Sequence, residues 1–84
     1  MRISFHEDAW EDYLYWQKND RKLLQRVNAL LREAVPTPYA GTGKPEPLRH
    51  ALSGCWSRRI TEEHRLVNRI EGDCLVVVQC RYHY

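Results

Sequence analysis

Cys74-Leu-Val-Val-Val-Gln-Cys-Arg-Tyr-His-Tyr84 closes the chain, and the arrangement of everything before it follows from how these residues are read. Leu75 to Val78 is aliphatic and mostly β-branched, the composition of a strand covered on both faces, which belongs at the centre of a sheet. The run then ends in a cation, an imidazole and two phenols. If the strand continues to His83, alternation puts Gln79, Arg81 and His83 on one face and Cys80, Tyr82 and Tyr84 on the other. Reactive side chains are thereby set on a rigid support, and His83 is the first residue to consider for proton transfer.

Outward from this strand, Arg65 to Ile70 forms its hairpin partner through a turn at Glu71-Gly72-Asp73. Leu48 to Leu52 and Cys55 to Thr61 read as a second pair, turning at Ser53-Gly54. Between Val35 and Pro47 lie all four prolines and two of the four glycines, so neither a helix nor a central strand can pass. Pro45 and Pro47 restrict Glu46 from both sides, so positioning its carboxylate costs little further backbone entropy.

Upstream of the prolines the period is helical. Leu23, Leu24, Val27, Leu30, Leu31 and Ala34 form one apolar stripe behind an Asn19-Asp20 break and N-cap. Trp10, Tyr13, Leu14 and Gln17 form another, led by Glu7 and Asp8 where a helix dipole favours negative charge. Tyr15 and Trp16 lie off that stripe, either widening the buried face or leaving an aromatic patch exposed. Arg2 to Phe5 is a short first strand. The order predicts an α+β domain over residues 1–84, with two N-terminal helices on one face of an antiparallel sheet and polar strand residues on the other.

A chain of 84 residues has room for one small core. Cys55, Cys74 and Cys80 show no paired spacing and read as reduced thiols in a cytoplasmic protein, and no stretch has the length of a signal or membrane span. Net charge is +2, but residues 1–20 carry −3, residues 21–70 carry +6 and residues 71–84 carry −1. The basic middle either attracts a polyanion or is a solvated face.

The residues with chemistry to offer are Glu46, Arg49, Arg58, Arg59, Arg65, Arg81 and His83, with Lys44 and Tyr84 in support. Alternation sets Arg59 with Ser57 and Thr61, and Arg58 with Trp56 and Ile60, so Arg59 is the better placed of the two for an open-face site. A held carboxylate, several guanidinium groups and a histidine suit metal-free RNA cleavage. The 2′-hydroxyl gives up a proton, the phosphorane gathers negative charge, and the leaving 5′-oxygen takes a proton. Histidine, with a reference pKa of about 6.5, can hold that proton at neutral pH. The same residues also occur as solvated charges and weak surface pairs, with Glu62 and Glu63 close enough in sequence to neutralise Arg58 and Arg59. His6, His50 and His64 lack metal-ligand spacing, so no metal and no cofactor is expected.

Three strings go further. Gly43-Lys-Pro-Glu-Pro-Leu48, Trp56-Ser-Arg-Arg-Ile-Thr-Glu-Glu-His-Arg-Leu-Val67 and Cys80-Arg-Tyr-His-Tyr84, together with Asp12-Tyr-Leu-Tyr-Trp-Gln17, closely resemble the YoeB toxins of the YoeB/YefM toxin–antitoxin module in the RelE/ParE-like superfamily. The resemblance runs the whole length. It implies a microbial-ribonuclease-like fold and a ribosome-dependent mRNA endonuclease that cuts codons in the A site of the 70S ribosome. Glu46 would be general base, His83 general acid and Arg65 the stabiliser of the phosphate, with Lys44, Arg49, Arg59, Arg81 and Tyr84 assisting or binding RNA. It further implies a homodimer, a YefM-type antitoxin and operator DNA bound through the antitoxin complex. The alternatives are a non-enzymatic ParE-like toxin that binds gyrase and a metal-dependent nuclease. Arg49 departs from an expected lysine, Asn68-Arg69 from a more apolar pair and Cys55 from an aromatic residue.

Overall fold

From its N-terminus the chain forms β1 (Arg2–Phe5), α1 (Glu7–Asn19), α2 (Arg21–Ala34), β2 (Glu46–Pro47), a 3-10 turn (His50–Leu52), β3 (Trp56–Arg59), β4 (Arg65–Glu71) and β5 (Cys74–Gln79). The structure, a computed structural model, describes residues 1–83. The strands make one sheet in the order β1-β5-β4-β3-β2. Both helices cover one face, where Ala9, Trp16, Val27, Leu30, Leu31 and Ala34 meet Leu66, Leu75 and Val77. The fold is therefore α+β, with three corrections to the sequence expectation.

The sheet is mixed, because β1 pairs with β5 in parallel, Arg2 opposite Cys74 and Phe5 opposite Val77. A parallel pair needs a long crossover, and here everything between β1 and β5 supplies it. That choice of partner leaves no local trace. β5 is thus interior, flanked by β1 and β4, while β4 holds the centre. Second, Leu48 to Leu52 is not a strand: β2 is the two residues Glu46 and Pro47, paired with Ser57 and Trp56, and a 3-10 turn follows. Third, β5 stops at Gln79, so Cys80 to His83 do not continue the alternation.

On α1 the buried stripe is Ala9, Tyr13 and Trp16, not the one led by Trp10. Trp16 is 4% exposed while Trp10 is 46% exposed, its ring stacked on Tyr13 and edge-on to Phe5. Trp16 is the indole that goes inward, and its N–H finds an acceptor there, the Cys80 carbonyl at 2.8 Å. On α2 the expected stripe is the buried one, and Asp20 caps the helix by accepting from the Leu23 N–H at 3.1 Å.

Alternation on β3 holds. Arg58 lies on the helix face, 1% exposed, and Arg59 on the other, exposed. The buried guanidinium turns the proline segment into a structured loop: Nη1 donates to the Thr42 carbonyl, and Nη2 to those of Thr37 and Ala40. Glu33 lies 3.9 Å away and accepts from the Thr42 N–H. Bonds from Thr42 and then the charge of Arg58 hold that carboxyl below the usual range. The unexpected Asn68 is buried on the helix face opposite Val77, and Arg69 forms an ion pair with Glu71 at 2.6 Å.

Replacing Arg58 with alanine strips three loop carbonyls of their donor, and the loss expected in denaturant unfolding is about 2–3 kcal/mol. Arg59→Ala, exposed on the same strand, should stay within about 0.5 kcal/mol. Equal effects would contradict the loop-organising role. Cys80 is fully buried, and burial, with Asp12 nearby, pushes its thiol up to about 12. Iodoacetamide, which consumes thiolates, should modify the half-buried Cys74 in the native protein and reach Cys80 only after unfolding.

Candidate active site

The helix-free face is assembled by strand register. Glu46 sits opposite Ser57, Ser57 opposite Val67, and Arg59 opposite Arg65, so these residues point to one side. It is the side away from Leu66 and the helices. Gly43 accepts from the Arg59 N–H at 2.7 Å, which brings Lys44 beside the same row. Two strand spacings across and two residues along separate the backbones of Glu46 and Arg65 by about 12 Å.

The tail reaches this row by another route. Between Val67 and Asn68 the register of β4 against β5 shifts: Val67 faces Gln79 and Asn68 faces Val77, leaving Val78 as an extra residue. This bulge turns Gln79 onto the helix-free face. Its side-chain amide then donates to the Arg81 carbonyl at 2.9 Å. Cys80 is fastened to α1, its N–H donating to Asp12 and its carbonyl accepting from Trp16. Burial raises the Asp12 carboxyl, opposed by the Cys80 N–H and the charge of Arg81. Tyr82 turns the chain with φ +63°, and its carbonyl accepts from the Arg65 N–H at 3.0 Å. His83, next in the chain, therefore begins beside Arg65.

Each residue singled out by sequence has a definite place. Glu46 is exposed on β2, and Lys44 and Arg49 are exposed before and after it, Lys44 with φ +51°. Arg59 is exposed, with Glu62 at 3.9 Å as a loose partner. Arg65 is only 7% exposed, and its Nη1 lies within hydrogen-bond distance of the carbonyls of Thr61, Glu62 and His64. It therefore holds the 61–64 loop, a task its position in the sequence does not disclose. Arg81 turns to α1 instead of joining the row: its guanidinium lies 3.5 Å from the Tyr15 ring centroid, and Nη2 donates to the Tyr82 hydroxyl. His83 is exposed, and Tyr84 lies outside the described residues.

His64 shows no metal-ligand spacing in the sequence, yet its Nδ1 accepts from the Tyr82 N–H at 2.7 Å. Gln79, by alternation a face-mate of Arg81 and His83, is the donor that holds the Arg81 carbonyl. In both cases the sequence signal is a polar residue flanking a candidate, too common a pattern to single out. At the far side of the fold, Met1, Ile3, Phe5, Trp10, Tyr13, Leu31 and Val35 line a mainly apolar groove of about 740 Å³ between β1 and the helices.

Known proteins share this fold. Residues 5–84 match the family described as YoeB-like toxin of bacterial type II toxin–antitoxin systems. Toxin YoeB of Escherichia coli K12 is 52% identical over 84 residues, all of both chains. A YoeB/ParE toxin structure from Agrobacterium tumefaciens superimposes with a TM-score of 0.98 at 48% identity, covering both chains fully. YoeB of Staphylococcus aureus, solved as a dimer and in complex with YefM, superimposes at 0.92 in each case, with 41% and 40% identity over 100% of this chain and 98% of the other. The chain belongs to the YoeB-like toxins of bacterial type II toxin–antitoxin systems.

Proposed function

We propose that this toxin is a ribosome-dependent mRNA endonuclease that cuts codons in the ribosomal A site and so inhibits translation. What supports it is the strand register that sets Glu46 of β2, Arg59 of β3 and Arg65 of β4 on the helix-free face, with the Tyr82 carbonyl on the Arg65 N–H so that His83 leaves the tail beside them. Glu46 takes the proton of the 2′-hydroxyl, and that oxygen attacks the neighbouring phosphorus. Arg65, through nitrogens other than Nη1, and Arg59 offset the charge of the phosphorane. His83, as imidazolium, protonates the departing 5′-oxygen, leaving a 2′,3′-cyclic phosphate on one fragment and a 5′-hydroxyl on the other. Lys44 and Arg49 border Glu46 and suit the flanking phosphates, while Arg81 and Tyr84 complete the tail. Neither a metal nor a cofactor enters this scheme. The ribosome supplies what an open, shallow face lacks, a means of holding mRNA against it.

The partners follow from the relatives. A YefM-type antitoxin is proposed to neutralise the toxin, as the S. aureus complex suggests, and that complex would bind operator DNA. A homodimer is proposed on the precedent of the S. aureus dimer, with the apolar groove beside half-exposed Ile3 and Trp10 as its proposed interface. The site of action is the cytoplasm.

Primer extension on mRNA in a purified translation system should reveal cuts only when ribosomes are present, with EDTA chelation judged on pre-formed complexes kept intact by polyamines. Glu46→Ala and His83→Ala should each reduce single-turnover cleavage by about 100-fold or more. Near-full activity in His83→Ala would remove the acid assignment, and intact mRNA alongside poisoned gyrase would favour the ParE-like alternative. Trp10→Glu puts a charge into the apolar groove, and in sedimentation it should shift the toxin to monomer. A dimer of unchanged affinity would place the interface elsewhere.

A further inference from the structure

Once the β5 ladder ends at Gln79, each backbone polar group of the tail must find another partner or meet water. Cys80 finds α1, and the Arg81 carbonyl finds the Gln79 side chain. Tyr82 is gripped from both sides by two consecutive residues of another segment. His64 Nδ1 accepts its N–H at 2.7 Å, and the Arg65 N–H donates to its carbonyl at 3.0 Å. Tyr82 also stands at φ +63°, a conformation that a residue with a Cβ keeps only where its surroundings over-determine it.

Its carbonyl belongs to the same planar peptide as the His83 nitrogen. Fixing that plane fixes where His83 starts and in which direction it leaves. We propose that His64 is a positioning residue for the proposed cleavage reaction: by accepting the Tyr82 N–H it locks the tail turn that aims His83 at the row of Glu46, Arg59 and Arg65.

The chemistry of the ring fits this task. A backbone N–H can only donate, so Nδ1 must carry a lone pair and the ring proton sits on Nε2. The ring is itself well held. It packs edge-on to the buried Trp16 at 4.7 Å between centroids, and lies 5.6 Å from Tyr82. The His64 N–H donates to Thr61 Oγ1, and its carbonyl accepts from the N–H groups of Ile60 and Thr61 and from Arg65 Nη1. The buried Arg65 guanidinium therefore stiffens the loop that carries the latch. A histidine that only filled space beside Trp16 would not need its Nδ1 aimed at an amide 18 residues away.

This inference rests on the endonuclease reading, and the test separates the two. In the full-length chain, His64→Leu keeps bulk against Trp16 but removes the acceptor, whereas His64→Asn keeps an acceptor oxygen at the position of Nδ1. Hydrogen exchange of the Tyr82 amide, followed by NMR, reads the latch without reference to activity. Exchange should quicken about tenfold in His64→Leu and return to near the wild-type rate in His64→Asn. Single-turnover cleavage of ribosome-bound mRNA should fall about tenfold or more in His64→Leu, with the half-saturating ribosome concentration changed less than about twofold, and should largely recover in His64→Asn.

Unchanged Tyr82 exchange in His64→Leu would overturn the proposal, as would faster exchange with an unaltered cleavage rate, or an asparagine variant as impaired as the leucine one. Should His64→Leu fail to fold, His64→Phe, which keeps a ring against Trp16 and has no acceptor, takes its place with the same outcomes. If the wild-type protein leaves ribosome-bound mRNA intact, the endonuclease reading fails, and the exchange measurement still decides whether the latch exists.

Discussion

The end of β5 is the constraint on which the rest of this structure depends. An interior strand must hand its backbone groups to new partners where its ladder stops, because a buried amide or carbonyl without one is costly. Cys80 solves this by giving its N–H to Asp12 and its carbonyl to Trp16, and its thiol lies 3.6 Å from the Ala9 carbonyl. One residue thereby fastens the sheet to α1 and sets the point from which the tail leaves for the helix-free face. Packing decides the point of departure, and the tail inherits a rigid origin.

Two arginines on adjacent strands do comparable work on either side of the site. Arg58, fully buried on the helix face, gathers the carbonyls of the proline loop that leads into Glu46. Arg65, nearly as buried on the opposite face, gathers those of the 61–64 loop. Burying a guanidinium is costly unless its donors are matched; loop carbonyls, which lack ladder partners, match both terminal nitrogens of Arg58, while its Nε has no partner among the described residues. The basic character of the middle of the chain is thus partly architectural. Arg59, Lys44 and Arg49 remain exposed, as do Arg21, Lys22 and Arg32 on α2.

Asn68, Arg69 and Arg49, where the sequence departs from the family pattern, each have a definite place in this framework. Asn68 is buried beneath the helices, and its amide nitrogen has no partner among the described residues, a local cost the packing around it must absorb. Arg69 is neutralised by Glu71 and touches His6, tying β4 to the chain just after β1. Neither lies in the row containing Glu46, Arg59 and Arg65. Arg49 keeps a cation beside Glu46 in an exposed position.

Periodicity in the sequence by itself determined the two helices, the Asp20 cap, the hairpin of β4 with β5, the opposite orientations of Arg58 and Arg59 and the loop status of the proline segment. These are consequences of side-chain spacing and backbone sterics within a few residues, and are written locally. Only the tertiary structure decided the parallel pairing of β1, the inward choice of Trp16 over Trp10, the extra residue at Val78 and the turn at Tyr82. Each is settled by where distant polar groups and apolar area can be satisfied together: an indole by a carbonyl 64 residues on, a tail amide by His64. Residue types could nominate Glu46, Arg65 and His83. The direction in which His83 leaves the tail depends on contacts that exist only after the chain has closed on itself.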